Sequence, residues 1–454
     1  MRSSNDPYWF RFVPLVLRSR LSGRQNLLAV LHNSGWLIFD KVMRGLFTLL
    51  VGAWVARYLG PQQFGELSYV LAYLTLFQSL AYLGLDGVVV RDIARIAHGA
   101  ESAEKKAQKT GELLGTVFSV RLLAGFACWV IAVGGMWCFS TSHNAMLVAL
   151  AGGSLIFQAA DSVDLWFQSQ SQSRRTVLAK LMAYVVSNGL RVIFILSEMP
   201  LVWFAAALSV EFVLSALALF VSYKRFSCGA KWRTDFLQTG KLLVAESYLF
   251  AAAGLCNLLS NKVDQIVLKQ YMGDAALGLY SVFLPIIAIC YSIPNMIAVS
   301  ALPHFSRLHK ENHSEFKKKL AHFFAFNYLL SLFLVGFIFV FSKEIVYLLF
   351  GAAYMDSEIP MMVYSLTAIT TTSWIAQWAW MYNQQKGGQQ LRQTFLGAVL
   401  TTGFSLALVP AFGVVGASAA IVLSQFGAFV LFNYFVDKDL FYLQFCRVRK
   451  EAYA

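Results

Sequence analysis

Arg57-Tyr-Leu-Gly-Pro-Gln-Gln-Phe-Gly-Glu-Leu-Ser68 lies between two long apolar runs, and 213 residues further on Gln270-Tyr-Met-Gly-Asp-Ala-Ala-Leu-Gly-Leu-Tyr-Ser281 lies between two more. Tyr58, Gly60, Gly65 and Ser68 fall on Tyr271, Gly273, Gly278 and Ser281, and Leu59/Met272 and Phe64/Leu277 match in kind. Each stretch is read as the turn between the first and second spanning segment of a half. The glycines suit a helix–turn–helix too tight for a side chain. The chain therefore reads as two six-segment halves of the same orientation. Such a parallel repeat turns about an axis along the membrane normal, with a pathway between the halves.

Composition agrees. Of 454 residues 58% are apolar and only 13% charged, with 38 Phe, 19 Tyr and 11 Trp. A spanning helix uses about 20 apolar residues, and a soluble domain has nowhere to hide this much apolar surface. A soluble enzyme, a nucleic-acid-binding domain, a disordered scaffold and a small secreted module are all excluded. Twelve spans are expected, near 34–58, 66–94, 111–139, 145–170, 177–197, 200–222, 242–268, 278–301, 318–341, 358–381, 392–410 and 413–435. They are too long and too evenly apolar for barrel strands. The expected fold is all-α and polytopic, with about 12 transmembrane helices. An N-terminal lobe (34–222) and a C-terminal lobe (242–436) are joined by a linker (223–241) and flanked by a basic segment (1–33) and a tail (437–454).

The basic residues set the expected orientation. Of 37 Lys and Arg, 27 fall in the even-numbered gaps and the two ends, against three (Arg57, Lys269, Lys343) in the odd-numbered gaps. Both termini are therefore expected in the cytoplasm. The net charge of +13 is thereby spread over seven cytoplasmic segments, which leaves no nucleic-acid footprint. Residues 1–33 lack the apolar core and cleavage site of a signal peptide. Phe10–Leu31 reads as a basic interfacial helix or a plain cytoplasmic tail. Among the odd-numbered gaps only Ser342–Glu358 is long, and it holds no His-and-carboxylate constellation. Six cysteines have neither disulfide nor metal spacing, and His309/His313 lie in a solvated basic stretch without a third ligand. No metal and no cofactor are expected. Gly111/Gly115 and Gly413/Gly416 read as close helix packing.

Ionisable side chains inside spans are costly and mark function. The bases are Lys41, Arg44, Arg91, Arg95, Arg121, Arg191 and Lys262, and the acids are Asp40, Asp86, Asp161, Asp164, Glu211, Glu246 and Asp264. Arg44 either pairs with Asp40 at i,i+4 or, with Lys41 on the same face, holds an anion. Arg121 and Arg191 have no acid within reach on their own helices, so a partner comes from another helix, such as Glu211, or from a ligand. Asp161 and Asp164 share a face at i,i+3; they either hold a coupling ion or pair with Arg91 or Arg95. Asp264 and Glu211 are further coupling candidates. Cations within a membrane pathway favour an anionic substrate, because Arg binds phosphate bidentately.

The stretch Arg57–Ser68, continuing to Leu83-Gly-Leu-Asp86 and Val90-Arg-Asp-Ile-Ala-Arg95, closely resembles the opening of the bacterial Wzx-type polysaccharide flippases. That family belongs to the superfamily that also holds the MATE drug exporters. Asp164-Leu-Trp-Phe-Gln168 and Gly413-Val-Val-Gly-Ala-Ser-Ala-Ala420 resemble two further stretches of the family, whereas Ser169-Gln-Ser-Gln172 departs from it. The resemblance implies a MATE-like fold in the bacterial inner membrane. It also implies transfer of undecaprenyl-pyrophosphate-linked oligosaccharide to the outer leaflet, by alternating access driven by a proton or sodium ion. Membrane lipid, and by resemblance a polysaccharide polymerase and chain-length proteins, are the expected neighbours. On that reading Lys41, Arg44, Arg121 and Arg191 bind the pyrophosphate or acidic sugars. Trp166 and Trp378, like Trp374 and Trp380, would stack on sugar rings, and Asp161, Asp164, Asp264 and Glu211 would take the coupling ion. The competing readings are a MATE-type multidrug/cation antiporter, whose cavity acids should dominate, and a membrane polymerase or ligase, which needs a large external loop.

Overall fold

The protein, seen in a computed structural model, is described over residues 25–170, 172–226, 232–236, 240–384 and 386–445. The basic segment before residue 25, parts of the 223–241 linker and the tail beyond 445 lie outside the described residues, and so does most of the interfacial helix expected over Phe10–Leu31. Every regular element among the described residues is helical, since a helix satisfies its own backbone in lipid.

The first half is built from α1 Gln25–Tyr82, α2 Asp86–His98, α3 Ala103–Phe139, α4 Ser142–Ala151, α5 Gly153–Phe157, α6 Asp161–Ser169, α7 Ser173–Leu196 and α8 Leu201–Phe226. The second is built from α9 Lys241–Ser281, α10 Leu284–Glu311, α11 His313–Phe350, α12 Glu358–Ser365, α13 Thr367–Asn383, α14 Gly387–Phe426, α15 Phe432–Val436 and α16 Lys438–Gln444. Three of these rods are each two arms joined at one glycine: Gly60 (φ 70°) in α1, Gly273 (φ 81°) in α9 and Gly413 (φ 56°) in α14. That left-handed conformation is open to glycine and strained for other residues.

Eight stretches are long and apolar enough to cross a membrane. Two of them, Phe39–Ala97 and Gly387–Val436, run for 59 and 50 residues and suffice for two crossings each. With α9 and the α12–α13 pair, twelve crossings result, six per half.

Several spans are more broken than expected. The second is cut at Leu83 (φ 55°) and Gly84 (φ 62°), the fourth passes through a 3-10 turn at Gln158–Ala160, and the tenth breaks at Leu366. The long gap expected over Ser342–Glu358 is mostly helix: the apolar run Ile345–Phe350 carries α11 onward, and a 3-10 turn over Ala352–Ser357 completes it. Gly111 and Gly115 admit the linker, whose Arg233 N–H donates to Gly111 O at 3.4 Å. A methyl group on Gly115 would overlap the Arg233 carbonyl.

The two halves meet where the repeat turns. A Cβ on Gly65 would overlap the carbonyl of Asp274, and one on Gly278 would overlap the carbonyl of Pro61. Pro61 and Asp274 are themselves counterparts in the repeat, so one backbone crossing is made twice about a pseudo-twofold axis. Around it Tyr354 donates to Ala56 O at 2.8 Å, Arg57 donates to Tyr347 O at 3.2 Å, and the Lys269 ammonium lies 4.3 Å over the Tyr69 ring. A shared apolar core seals this end, joining Ala53 and Ala56 to Leu268, Leu277, Phe350 and Val409. At the opposite end each half has its own core, around Leu114, Phe167 and Leu219 in one and Phe316, Phe324 and Trp380 in the other.

Overpacking a filled contact costs about 1–3 kcal/mol. Gly65→Ala and Gly278→Ala should each lower the thermal unfolding midpoint of the purified protein. Because both methyls push apart the same two backbones, the double variant should lose clearly less than the two losses together. Additive losses would show that the two contacts yield separately.

Candidate functional site

The first half encloses a cavity of about 260 Å³ whose wall carries Asp40, Arg44, Tyr82, Asp161, Lys180 and Glu211. Each comes from a different turn of the bundle. Asp40 and Arg44 share one face of α1 at i,i+4, and Arg44 Nε donates to Asp40 Oδ1 at 2.9 Å. Arg44 also approaches Glu211 Oε1 of α8 at 3.9 Å, and its guanidinium lies 4.8 Å over the ring of Tyr184 on α7. Tyr184 in turn shares a 2.6 Å hydrogen bond with Thr48, one turn along α1. Arg191, further along α7, donates to Glu211 Oε2 and to Asn188 Oδ1, each at 3.1 Å. Glu211 is thus shared by two arginines.

On the other wall Lys180 Nζ sits between two carboxylates, 2.7 Å from Asp161 Oδ1 and 2.7 Å from Asp164 Oδ2. Tyr82 donates to the remaining oxygen of Asp161 at 2.8 Å, and Gln168 donates to Asp164 at 3.2 Å. The i,i+3 spacing that put the two acids on one face of α6 is what lets a single ammonium bridge them. Lys180 lies in the second turn of α7, which Ser173 already starts. The partner of Asp161 and Asp164 is therefore Lys180, in place of Arg91 or Arg95; Arg91 bonds the neighbouring Asp92.

Arg121 is 1% exposed and bonds Asp86, with its guanidinium 5.5 Å over the Tyr82 ring. Its Nε and Nη1 have no hydrogen-bond partner. It lies behind the Tyr82–Asp161 wall rather than on the cavity surface. Lys41 is exposed and is not among the lining residues. Asp264 is buried in the second half, where Tyr280 donates to one oxygen and the other is unpartnered. Lys262 and Arg191 face a larger cavity of about 390 Å³ between the halves, lined mainly by apolar side chains of α1, α8 and the start of α10.

The tryptophans are placed differently from expectation. Trp166 packs into the first-half core against Phe167 and Tyr223. Trp378 points outward at 44% exposure beside Trp374, and Trp380 is buried with its N–H on Asp437 at 3.0 Å. None of the three lines the cavities described; Trp374 does line one, in the second half. Glu246 lies where no side chain is described. Among the described residues no cluster of three or more metal-ligating side chains occurs, and Cys128, Cys138, Cys256 and Cys290 are free thiols.

What this arrangement does chemically follows from charge. Arg44 and Lys180 are held in a half-buried pocket by carboxylates, with Arg191 behind Glu211. Buried charges of this kind survive only when paired, so an incoming anion would have to take the place of a carboxylate.

Known proteins agree with this architecture. A curated relative, "Capsular polysaccharide biosynthesis protein CapF" of Staphylococcus aureus, is 26% identical over 188 residues, 40% of this chain and 46% of the relative. The chain thus matches just under half the length of that relative. Among solved structures, an inward-facing multidrug resistance MATE transporter of the MOP superfamily superposes with a TM-score of 0.71 at 16% identity. It covers 88% of this chain and 95% of its own. The lipid II flippase MurJ, in an inward closed conformation, superposes with a TM-score of 0.66 at 13% identity, covering 91% of this chain and 90% of its own. The family model "Lipid II flippase MurJ" matches residues 280–453, and "Polysaccharide biosynthesis protein" matches residues 30–309. With that last match spanning more than half its length, the chain belongs to the polysaccharide biosynthesis protein family, built on the fold of the MOP-superfamily transporters.

Proposed function

We propose that the protein moves an undecaprenyl-pyrophosphate-linked oligosaccharide from the cytoplasmic to the outer leaflet of the bacterial inner membrane, with both termini in the cytoplasm. The observation that carries this reading is the first-half cavity, in which Arg44 and Lys180 sit among exchangeable carboxylates with Arg191 behind Glu211. A diphosphate offers the same oxygens as those carboxylates at higher charge density, and guanidinium groups bind it bidentately. The polyprenyl tail stays in lipid while the headgroup crosses between the halves.

The exchange supplies a coupling mechanism. When the diphosphate takes Arg44 and Lys180, Asp161, Asp164 and Glu211 lose their counter-charge. Facing outward, those unpaired carboxylates take up a proton or a sodium ion as the substrate leaves. Facing inward again, loss of that ion restores the ion pairs, so the ion runs inward while the substrate runs outward. The close Gly65/Gly278 crossing at one end supports an access route from the other, basic end, which this reading takes as cytoplasmic. The glycan passes through unchanged, handed to a polymerase with its chain-length protein on the far side. A multidrug exporter has in its favour the MATE fold likeness and a cavity wall with three acids (Asp40, Asp161, Glu211) to two bases (Arg44, Lys180); against it stands the match to the polysaccharide biosynthesis family.

Arg44→Ala should abolish surface polysaccharide with the protein level unchanged; a normal polysaccharide coat would overturn the assignment. Lys180→Ala should reduce leaflet transfer in proteoliposomes by about tenfold or more, equivalent to about 1.4 kcal/mol. There the accessibility of extracted lipid-linked repeat unit to added glycosidase reports transfer. Lys180→Arg should retain most of that activity, because the ammonium acts as a bridge between two acids. Transfer that is indifferent to both proton and sodium gradients would remove the coupling role of Asp161 and Asp164.

A further inference from the structure

The second half holds its own polar cavity of about 130 Å³, built from the same five helices, in order, as the charged cavity of the first. The 213-residue shift that matches the glycine turns carries Arg44 to Asn257, Asp161 to Trp374 and Glu211 to Ser424, and all three line this second cavity. Lys180 falls on Gln393, next to lining Thr394, and Asp164 on Gln377. The ion pair Asp164–Lys180 is thus replaced by an amide chain, in which Gln393 donates to Asn433 at 2.8 Å and Asn433 to Gln377 at 2.9 Å. The two halves share the cavity but not its charge: none of the second cavity's lining residues is acidic or basic.

What remains is a particular chemistry. Gln425 Oε1 accepts from Thr370 at 2.7 Å and from Thr371 at 3.1 Å, which fixes the amide plane and leaves its NH2 end as a donor. Asn257 and Asn261, one turn apart on α9 and exposed, stand at the mouth. Trp374 stacks on Phe429 with centroids 5.6 Å apart and planes at 30°, so the wall is an aromatic surface backed by a second ring. Tyr291 and Tyr364 complete the apolar side. A pocket of this volume holds several water molecules, and in lipid its amides and hydroxyls need a polar occupant. A pyranose ring matches it, with a C–H face for the aromatic surface and a rim of hydroxyls for oriented amides.

From this juxtaposition we infer that the second-half cavity binds a neutral sugar residue of the transported glycan, while the first-half cavity takes its anionic end. The inference rests on the transport reading above and divides the substrate between the halves.

The full-length protein in lipid nanodiscs tests it, titrated separately with neutral methyl glycosides (glucoside, galactoside, N-acetylglucosaminide) and with inorganic pyrophosphate. Binding is followed by calorimetry and tryptophan fluorescence. At least one glycoside should bind. Gln425→Glu, which keeps the acceptor for Thr370 and Thr371 but removes the amide donors, should weaken it by about tenfold. Trp374→Leu should do the same, and both should leave pyrophosphate binding unchanged; Arg44→Ala should show the reverse pattern. The inference is overturned if no glycoside binds a protein that binds pyrophosphate, or if both second-half variants keep wild-type glycoside affinity. Glycoside binding without pyrophosphate binding would uphold it and remove the diphosphate reading instead.

Discussion

Two backbones touching at glycine hold the halves together. Gly65 lies against the Asp274 carbonyl and Gly278 against the Pro61 carbonyl. Each contact is possible only because the bend one turn earlier, at Gly60 or Gly273, aims the arm at its counterpart. In lipid the gain from such a contact is van der Waals packing at close approach, since the hydrophobic effect does not drive helices together there. A crossing without side chains also carries no rotamers to rearrange. That suits a seal which, on the proposed alternating-access reading, must open and remake, while the apolar core around Leu277 and Phe350 supplies the bulk of the contact.

The repeat and its turns were legible from the glycine register, because a left-handed backbone demands glycine and so leaves a mark in sequence. Arg191 and Glu211 were legible as partners for a similar reason: a mid-span charge with no neighbour on its own helix must find one on another. Lys180 was not legible as a site residue. It falls inside the expected span 177–197, yet so near Arg174 and Arg175 it looks like one more charge of the preceding gap. Only the fold shows that it turns inward onto Asp161 and Asp164. Nor did the break at Leu83 announce itself, since leucine has no preference for that conformation. The tryptophans misled because indole suits a core, a membrane interface and a sugar platform equally well. Trp166 went to the first of these.

Placing charge on one side only is a consequence of cost. Each ionised group in the bilayer must be paired, and each pair must be held by neighbours that satisfy its remaining donors and acceptors. Tyr82, Gln168, Asn188 and Tyr184 do this in the first half. A second copy of the network would double that requirement. Replacing Arg44, Lys180 and Glu211 by Asn257, Gln393 and Ser424 at their repeat positions keeps the pocket's polarity without its electrostatic demand.

The same asymmetry gives direction to binding. A substrate with one strongly anionic end and a neutral remainder has only one favourable way to lie across two such cavities. On the proposed reading the anionic end is held by Arg44 and Lys180 in exchange for their carboxylates. The neutral part is read by hydrogen bonds and stacking in the other cavity. The lipid carrier, attached at the anionic end, would then be held beside the first half whatever glycan follows. Tolerance toward different glycans would then be set in the second half, by side chains such as Gln425 and Trp374, without disturbing the ion pairs that hold the headgroup.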